Sequence, residues 1–325
     1  MKQSGILYLS AKDVENSGLS MIEIISSVED ILKEKYFKRI EMPPKPGIHP
    51  RSDAFIHAMP AFIPRMDIAG IKWIAGYLQN PEKGLPYISG ILVLNDPETG
   101  LPISVMDASW ITAKRTAAIT ALSAKHLARK DLESIGIVGC GVQARSHLEA
   151  LSVIFKGIKK VRAYDIVKEK LFLYADYVRS NFNYDVIEST DPKEAICGSD
   201  IIITATPILS KPKPIAKFEW VKKGSLVCPI EFDSYWDSNT FSKPDRLFTD
   251  DVMQLKYYKK IGRFKAIKRI HGELSEIIMG VKKGRINEAH RITVVNLGLA
   301  LVDVAVASQI YEKAVKKNLG VLLPY

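Results

Sequence analysis

The chain has 325 residues, 47% of them hydrophobic and 25% charged, which excludes general disorder and supplies apolar mass for about two domains. Its 46 lysines and arginines against 36 acidic residues give a formal charge of +10; the basic residues are interleaved with acidic ones, with short clusters only at 256–260 and 263–269, so a solvated surface that attracts small anions is expected rather than a nucleic-acid face. Cys140, Cys197 and Cys228 are too few for a disulfide framework, no signal-like apolar run opens the chain, and the most apolar later stretch, 292–306, is broken by Asn296 and Asp303, so a cytoplasmic protein without a membrane span is expected.

Residues 1–40 read as a strand, a turn and an amphipathic helix, with Ile22, Ile25, Val28, Ile31 and Leu32 at helical spacing. From Glu41 to Pro102 prolines recur every few residues between short apolar runs such as Gly70–Ala75 and Ile88–Leu94, a texture that forbids long helices and predicts a sheet with elaborated loops. Asp96-Pro-Glu-Thr-Gly100 has the chemistry of a hairpin turn. Thr112–Leu127, rich in alanine and threonine, predicts a buried helix. From Ser134 the pattern becomes regular: strands at Ile135–Val138, Val161–Tyr164, Asp200–Ala205, Ser225–Pro229 and Arg246–Thr249 alternate with helix-length segments, and Thr293–Lys317 reads as one long helix. Apolar runs without alternation indicate a parallel sheet covered on both faces. The fold class expected is α/β, a Rossmann-type doubly wound sheet plus a second α+β domain; with no repeats, a solenoid is not expected.

The strongest motif is Gly139-Cys140-Gly141-Val142-Gln143-Ala144, directly after a strand and before a helix. It has the form of a dinucleotide fingerprint: Gly139 for the tight turn, Gly141 for the approach of the pyrophosphate, Ala144 for close helix–strand packing. The helix start at Val142 and Gln143 then offers backbone N–H groups to the phosphates. Asp165 ends the next strand 24 residues after Gly141, where a carboxylate accepts from the ribose hydroxyls and repels a 2′-phosphate. NAD(H) is favoured, and Lys168 nearby keeps NADP(H) open. Thr204-Ala205-Thr206 closes the third strand with small residues at the end where ligands bind in open α/β sheets.

The combination of Gly70-Ile-Lys72-Trp73, Ile111-Thr-Ala-Lys-Arg115-Thr116-Ala-Ala118, Gly139-Cys-Gly-Val-Gln143 and Thr204-Ala-Thr206 resembles the ornithine cyclodeaminase/μ-crystallin family over nearly the whole chain. The resemblance implies an NAD(P)-binding Rossmann domain, here 126–299, and a substrate-binding and homodimerisation domain, here 1–125, completed by the C-terminal helix at 300–325. It implies hydride transfer at the α-carbon of an amino or imino acid. By resemblance the substrate-carboxylate arginine is Arg115, the active-site lysine Lys72 and the catalytic aspartate Asp233, with Thr116 joining the cofactor set. A guanidinium suits bidentate pairing with a carboxylate, and an aspartate suits work at the substrate nitrogen.

Three departures bear on the substrate. Lys45 stands where the family often has arginine. His57 stands where ornithine cyclodeaminase carries a glutamate for the distal amine, and imidazole is a poor partner for ammonium. Ser234-Tyr235-Trp236 replaces the loop after the catalytic aspartate; the aromatics either wall the pocket or pack locally. No metal set stands out among the six histidines. The leading expectation is an NAD(H)-dependent amino-acid dehydrogenase or imine reductase; the alternatives are a cyclodeaminase making proline from ornithine with catalytic NAD, and a non-catalytic NAD(P)H or small-ligand binder.

Overall fold

The computed structural model describes residues 5–324; the first four residues of the expected opening segment lie outside them. The chain opens with β1 (Gly5–Leu9), α1 (Ala11–Asn16) and α2 (Met21–Tyr36). Both helices begin with a capping box, Ser10 with Asp13 and Ser20 with Glu23, which satisfies backbone donors that a helix start leaves unpaired. On α2 the buried face is Met21, Ile24, Ile25, Val28, Ile31 and Leu32. Ile25, Val28, Ile31 and Leu32 lie on it as expected, whereas Ile22 is 63% exposed, because the first turn buries Met21 and Ile24 instead.

Five strands follow: β2 (Gly47–Ile48), β3 (Ala54–Ile63), β4 (Ile68–Tyr77), β5 (Ile88–Asn95) and β6 (Pro102–Asp107). Pro60 sits inside β3, opposite Ile71 of β4. It is tolerated because β2 pairs only with Ile56 and His57, which leaves an edge at Pro60 where a missing N–H costs little. The Asp96–Gly100 turn forms as expected: Asp96 Oδ1 accepts from Glu98 N at 2.8 Å, and Gly100 takes φ +74°. Helix α3 (Ser109–Leu127) then starts three residues before its expected beginning, with Asp107 Oδ1 accepting from Ser109 N at 2.8 Å.

The next segment alternates strands and helices: β7 (Ser134–Val138), α4 (Val142–Ile154), β8 (Lys160–Tyr164), α5 (Lys168–Asn181), β9 (Asp185–Glu188), α6 (Pro192–Ile196), β10 (Ile201–Thr204) and β11 (Leu226–Pro229). After these come α7 (Asn239–Ser242), β12 (Arg246–Thr249), α8 (Val252–Lys260), β13 (Gly272–Glu273), α9 (Leu274–Ile278) and β14 (Ile292–Val295). The chain ends with α10 (Ala300–Lys316) and β15 (Val321–Pro324). The single long helix expected over 293–317 is therefore incorrect. Ile292–Val295 is a fully buried strand between β11 and β12, as its run of β-branched residues prefers, and Gly298 at φ +82° separates it from α10.

The chain divides into two compact units, residues 1–115 with 298–325, and residues 116–297. The division falls within α3, not after residue 125, since an uninterrupted helix can belong to one unit at each end. The first unit is a seven-stranded sheet in the order β15-β1-β6-β5-β4-β3-β2, with only the β1–β6 pair parallel. Helix α10 packs on β3, β4 and β5 and against α2. The second unit is an all-parallel eight-stranded sheet in the order β13-β12-β14-β11-β10-β7-β8-β9. Its strand order reverses between β7 and β10, which opens a crevice at their carboxyl ends. Among the described residues no helix is long and apolar enough to cross a membrane.

Candidate functional site

In the first unit, strand alternation sends Lys72 of β4 to the same side as Ile68, Gly70 and Ile74, into the core, while Trp73 points outward at 44% exposure. A buried lysine needs a partner, and α10 supplies it. Lys72 Nζ donates to Asp303 Oδ1 at 2.5 Å and to the Thr112 hydroxyl of α3 at 3.3 Å. One turn further along α3, Arg115 Nε donates to the same Asp303 oxygen at 2.8 Å. Asp303 is fully buried, and its Oδ2 has no hydrogen-bond partner. Gly298 lets the chain pass the guanidinium: a Cβ there would lie 2.7 Å from Arg115 Nη1.

Lys45 is also buried, and its charge acts on both His57 and Lys72. The cluster thus sets two buried cations, Lys72 and Arg115, on one buried carboxylate. Burial and the Arg115 charge push the Lys72 ammonium down from 10.5 to about 7, although Asp303 opposes them. His57, stacked on Phe55 at 4.5 Å, is pushed down to about 3 by burial and by the charges of Lys45, His49 and Lys72. It is therefore a neutral ring in a positive field. A Cβ at residue 47 would lie 2.2 Å from its ring, so Gly47 makes room for it.

In the second unit the fingerprint forms as a strand–turn–helix. Gly139 takes φ +91°, where a Cβ would also come within 2.6 Å of Ala205 O, so only glycine fits. A Cβ on Gly141 would meet open space, and Gly141 provides no side-chain cap for α4. Val142, the first residue of α4, is 69% exposed, and the Gln143 Oε1 is buried without a hydrogen-bond partner. An uncapped helix N-terminus beside two glycines fits a pyrophosphate. Asp165 Oδ2 accepts from Cys140 N at 2.7 Å and Oδ1 from Val167 N at 2.8 Å, which fixes the carboxylate at the end of β8 beside that turn. His147 ties α4 to α3: its Nδ1 lies 2.8 Å from Gln143 O and its Nε2 3.1 Å from the Thr120 hydroxyl. A carbonyl only accepts, so Nδ1 carries the proton and Nε2 accepts. The Thr116 carbonyl, a turn before Thr120 on α3, lies 3.2 Å from the same hydroxyl.

The end of β10 differs from expectation in one respect. Thr204 is fully buried, and its hydroxyl donates to Glu231 Oε1 at 2.8 Å and accepts from Trp236 Nε1 at 2.9 Å. The hydroxyl is thus engaged within the protein, and the groups at the crevice are Ala205 and Thr206. Trp236 and Tyr235 lie in the core of this unit with Val138, Ile202 and Phe241, so the aromatic pair packs locally and forms no pocket wall. Asp233 is bonded through both oxygens, to Arg263 Nη1 at 3.1 Å and to Phe264 N at 2.7 Å.

Two residues escaped the sequence reading. Asp303 was visible as a lone acid in the apolar helix Ala300–Ala307, a signal that it must meet a buried cation. Glu231 had no such signal, since its burial depends on the turn after β11.

The family model for "Ornithine cyclodeaminase/mu-crystallin family" matches residues 6–318. The nodulation efficiency protein NfeD of Rhizobium meliloti is 39% identical, covering 98% of this chain and 99% of its own length. The Δ1-pyrroline-2-carboxylate reductase of Thermococcus litoralis, solved with NADH and L-proline, superposes with a TM-score of 0.88 at 32% identity, covering 98% of this chain and 100% of the other. An archaeal alanine dehydrogenase dimer with bound NAD superposes with a TM-score of 0.86 at 33% identity, covering 98% and 99%. The chain therefore belongs to the ornithine cyclodeaminase/mu-crystallin family.

Proposed function

We propose that this protein is an NAD(H)-dependent oxidoreductase acting at the α-carbon of an α-amino acid or the matching α-imino acid, as a cytoplasmic homodimer. The observation that carries the reading is the buried pair of cations Lys72 and Arg115 sharing one oxygen of Asp303, whose surplus of positive charge calls for an anion such as a substrate carboxylate. Relatives that act on alanine or on pyrroline-2-carboxylate support it.

Arg115, held in orientation through its Nε, binds the carboxylate, with Lys45 adding charge. Lys72 exchanges a proton with the substrate nitrogen: near pH 7 its ammonium and amine forms are both populated. Asp233, oriented by Arg263 and Phe264 through one bond on each oxygen, keeps acceptor capacity on both oxygens for a substrate nitrogen. Bound NAD(H) supplies or accepts the hydride. Gly139, Gly141, Val142, Gln143, Ala205 and Thr206 line its phosphates and crevice, and Asp165 takes the ribose. For the dimer, Tyr8, Trp73 and Ile91 are partly exposed apolar groups on strands of the first sheet, and Trp73 pairs with Ile91 across β4 and β5. A second copy covers such a face, as fits the dimeric alanine dehydrogenase.

The field that depresses His57 also repels a distal ammonium, which disfavours ornithine and hence cyclodeamination. A dehydrogenase or reductase changes the nicotinamide once per turnover. A cyclodeaminase borrows the hydride and returns it. Amino acids with NAD⁺, and keto acids with ammonia or cyclic imines with NADH, are therefore followed by NADH absorbance and ammonia release. Stoichiometric NADH change with an α-imino or apolar amino acid is the expected result. Ammonia from ornithine at substoichiometric NAD⁺, without absorbance change, refutes it in favour of the cyclodeaminase.

A further inference from the structure

The turn after β11 carries a buried acid that the reaction above does not use. Glu231 is 1% exposed; its Oε1 accepts from the Thr204 hydroxyl and its Oε2 has no hydrogen-bond partner. The local backbone holds it in that position. Phe232 takes φ +65°, a left-handed conformation that costs a bulky residue energy, and the rings of Tyr258 and Phe264, centred 5.0 and 5.6 Å away, pin it there. Such strain persists only where the surroundings over-determine it. The inward carboxyl group meets the end of β10 through the Thr204 hydroxyl and the Thr206 N–H. On its other side the same strand end meets the glycine turn. Ala205 N donates to Val138 O at 2.8 Å, and Ala205 O occupies the space that a Cβ on Gly139 would need.

We propose that Glu231 is a positioning residue for the dinucleotide: its carboxyl group fixes the Thr204–Thr206 strand end against the Gly139 turn and so sets cofactor affinity. This rests on the assignment of NAD(H) to the second unit. Burial raises the Glu231 carboxyl from 4.5 to about 8, against the opposing hydrogen bonds from Thr204 and from backbone N–H groups including that of Thr206. The groups around it are the Trp236 indole, which donates to Thr204, and the Tyr235 phenol, itself raised by burial. Asp233, two residues on, is paired with Arg263. At neutral pH Glu231 is thus a neutral acid; above pH 8 it becomes an anion behind the pyrophosphate turn and repels the dinucleotide phosphates.

The test is NADH fluorescence titration of the full-length protein from pH 6 to 9.5, as wild type, Glu231→Gln and Glu231→Ala. The wild type should lose about tenfold in NADH affinity between pH 7 and 9.5, while Glu231→Gln, which keeps the acceptor and cannot ionise, loses markedly less. Glu231→Ala should bind about tenfold more weakly at pH 7 with an unchanged circular dichroism spectrum. A Glu231→Gln profile that superposes on the wild type overturns the proposal, as does full affinity in a folded Glu231→Ala. If Glu231→Ala does not fold, the Glu231→Gln comparison decides alone. Failure of the wild type to bind NADH at any pH overturns the cofactor assignment instead.

Discussion

Asp303→Asn tests the buried cluster most directly. The substitution keeps shape and volume while removing the negative charge that lies 2.5 Å from Lys72 Nζ and 2.8 Å from Arg115 Nε. Breaking a buried ion pair by removing one partner costs about 3–5 kcal/mol. Here the loss divides unequally. Arg115 cannot shed its proton, whereas Lys72, already lowered to about 7, drops further and becomes neutral. The expected destabilisation at pH 7 is therefore at the lower end, about 3 kcal/mol. The pH dependence is the sharper signature. Where Lys72 is neutral in the folded variant but protonated in the unfolded chain, the unfolded state binds one more proton. Stability then falls by about 1.4 kcal/mol per unit as pH drops. In the wild type that fall ends near pH 7; in the variant it continues below 7, so the gap between them widens from pH 7 to 6. Urea denaturation at pH 8, 7 and 6 measures both quantities. A difference under about 1 kcal/mol that stays constant across those pH values would refute the pairing and the lowered lysine together.

Arg115→Lys converts a fork into a single point charge and should cost about 2–3 kcal/mol in kcat/KM for the carboxylate substrate with NADH binding intact; an unchanged kcat/KM removes Arg115 from substrate binding. NADH should bind at least about tenfold tighter than NADPH, because Asp165 would face a dianionic phosphate, and equal affinities by fluorescence titration sink that claim. His147 is buried and held near 4 instead of 6.5, so the unfolded state binds the extra proton between those values, and the wild type should lose about 3 kcal/mol of stability as pH falls from 6.5 to 4. His147→Gln should remove that component of the slope; an identical pH dependence in chemical denaturation would show that His147 charges freely.

What was legible in the sequence was local. The glycine turn declares itself because its conformation, its helix start and the acid after β8 all lie within about 27 residues of one another along the chain, from Gly139 to Asp165. The prolines between 43 and 102 indicated a sheet for a similar reason, since each constrains its own φ. Errors arose where neighbours distant in sequence decide. Ile292–Val295 continues into an apolar helix, and periodicity alone cannot separate a four-residue buried strand from a helical turn; pairing with β11 and β12 settles it. Tyr235 and Trp236 suit either a pocket wall or a core, and the Thr204 hydroxyl that binds the indole lies 32 residues earlier.

The substrate cluster lies between these cases, and its logic can be read by charge. Lys72 stands alone on the inward side of β4, Arg115 on the alanine-rich α3, and Asp303 in the wholly buried first half of α10. Each is the kind of residue that its element excludes unless a countercharge is supplied, because an unpaired buried ion costs several kcal/mol. Although 231 residues separate Lys72 from Asp303, the three must therefore meet, and one oxygen of Asp303 receives both cations. Counting charges then gives the chemistry. One carboxylate balances one of the two cations it receives, and the Lys45 charge adds to the field on Lys72. Lowering Lys72 toward neutrality removes part of the surplus without removing the site. What remains is the charge of about one carboxylate, with an amine beside it able to take up or give back a proton. A protein that only stored such a ligand would gain more from a permanently charged lysine than from one held near pH 7, and this favours catalysis over sequestration.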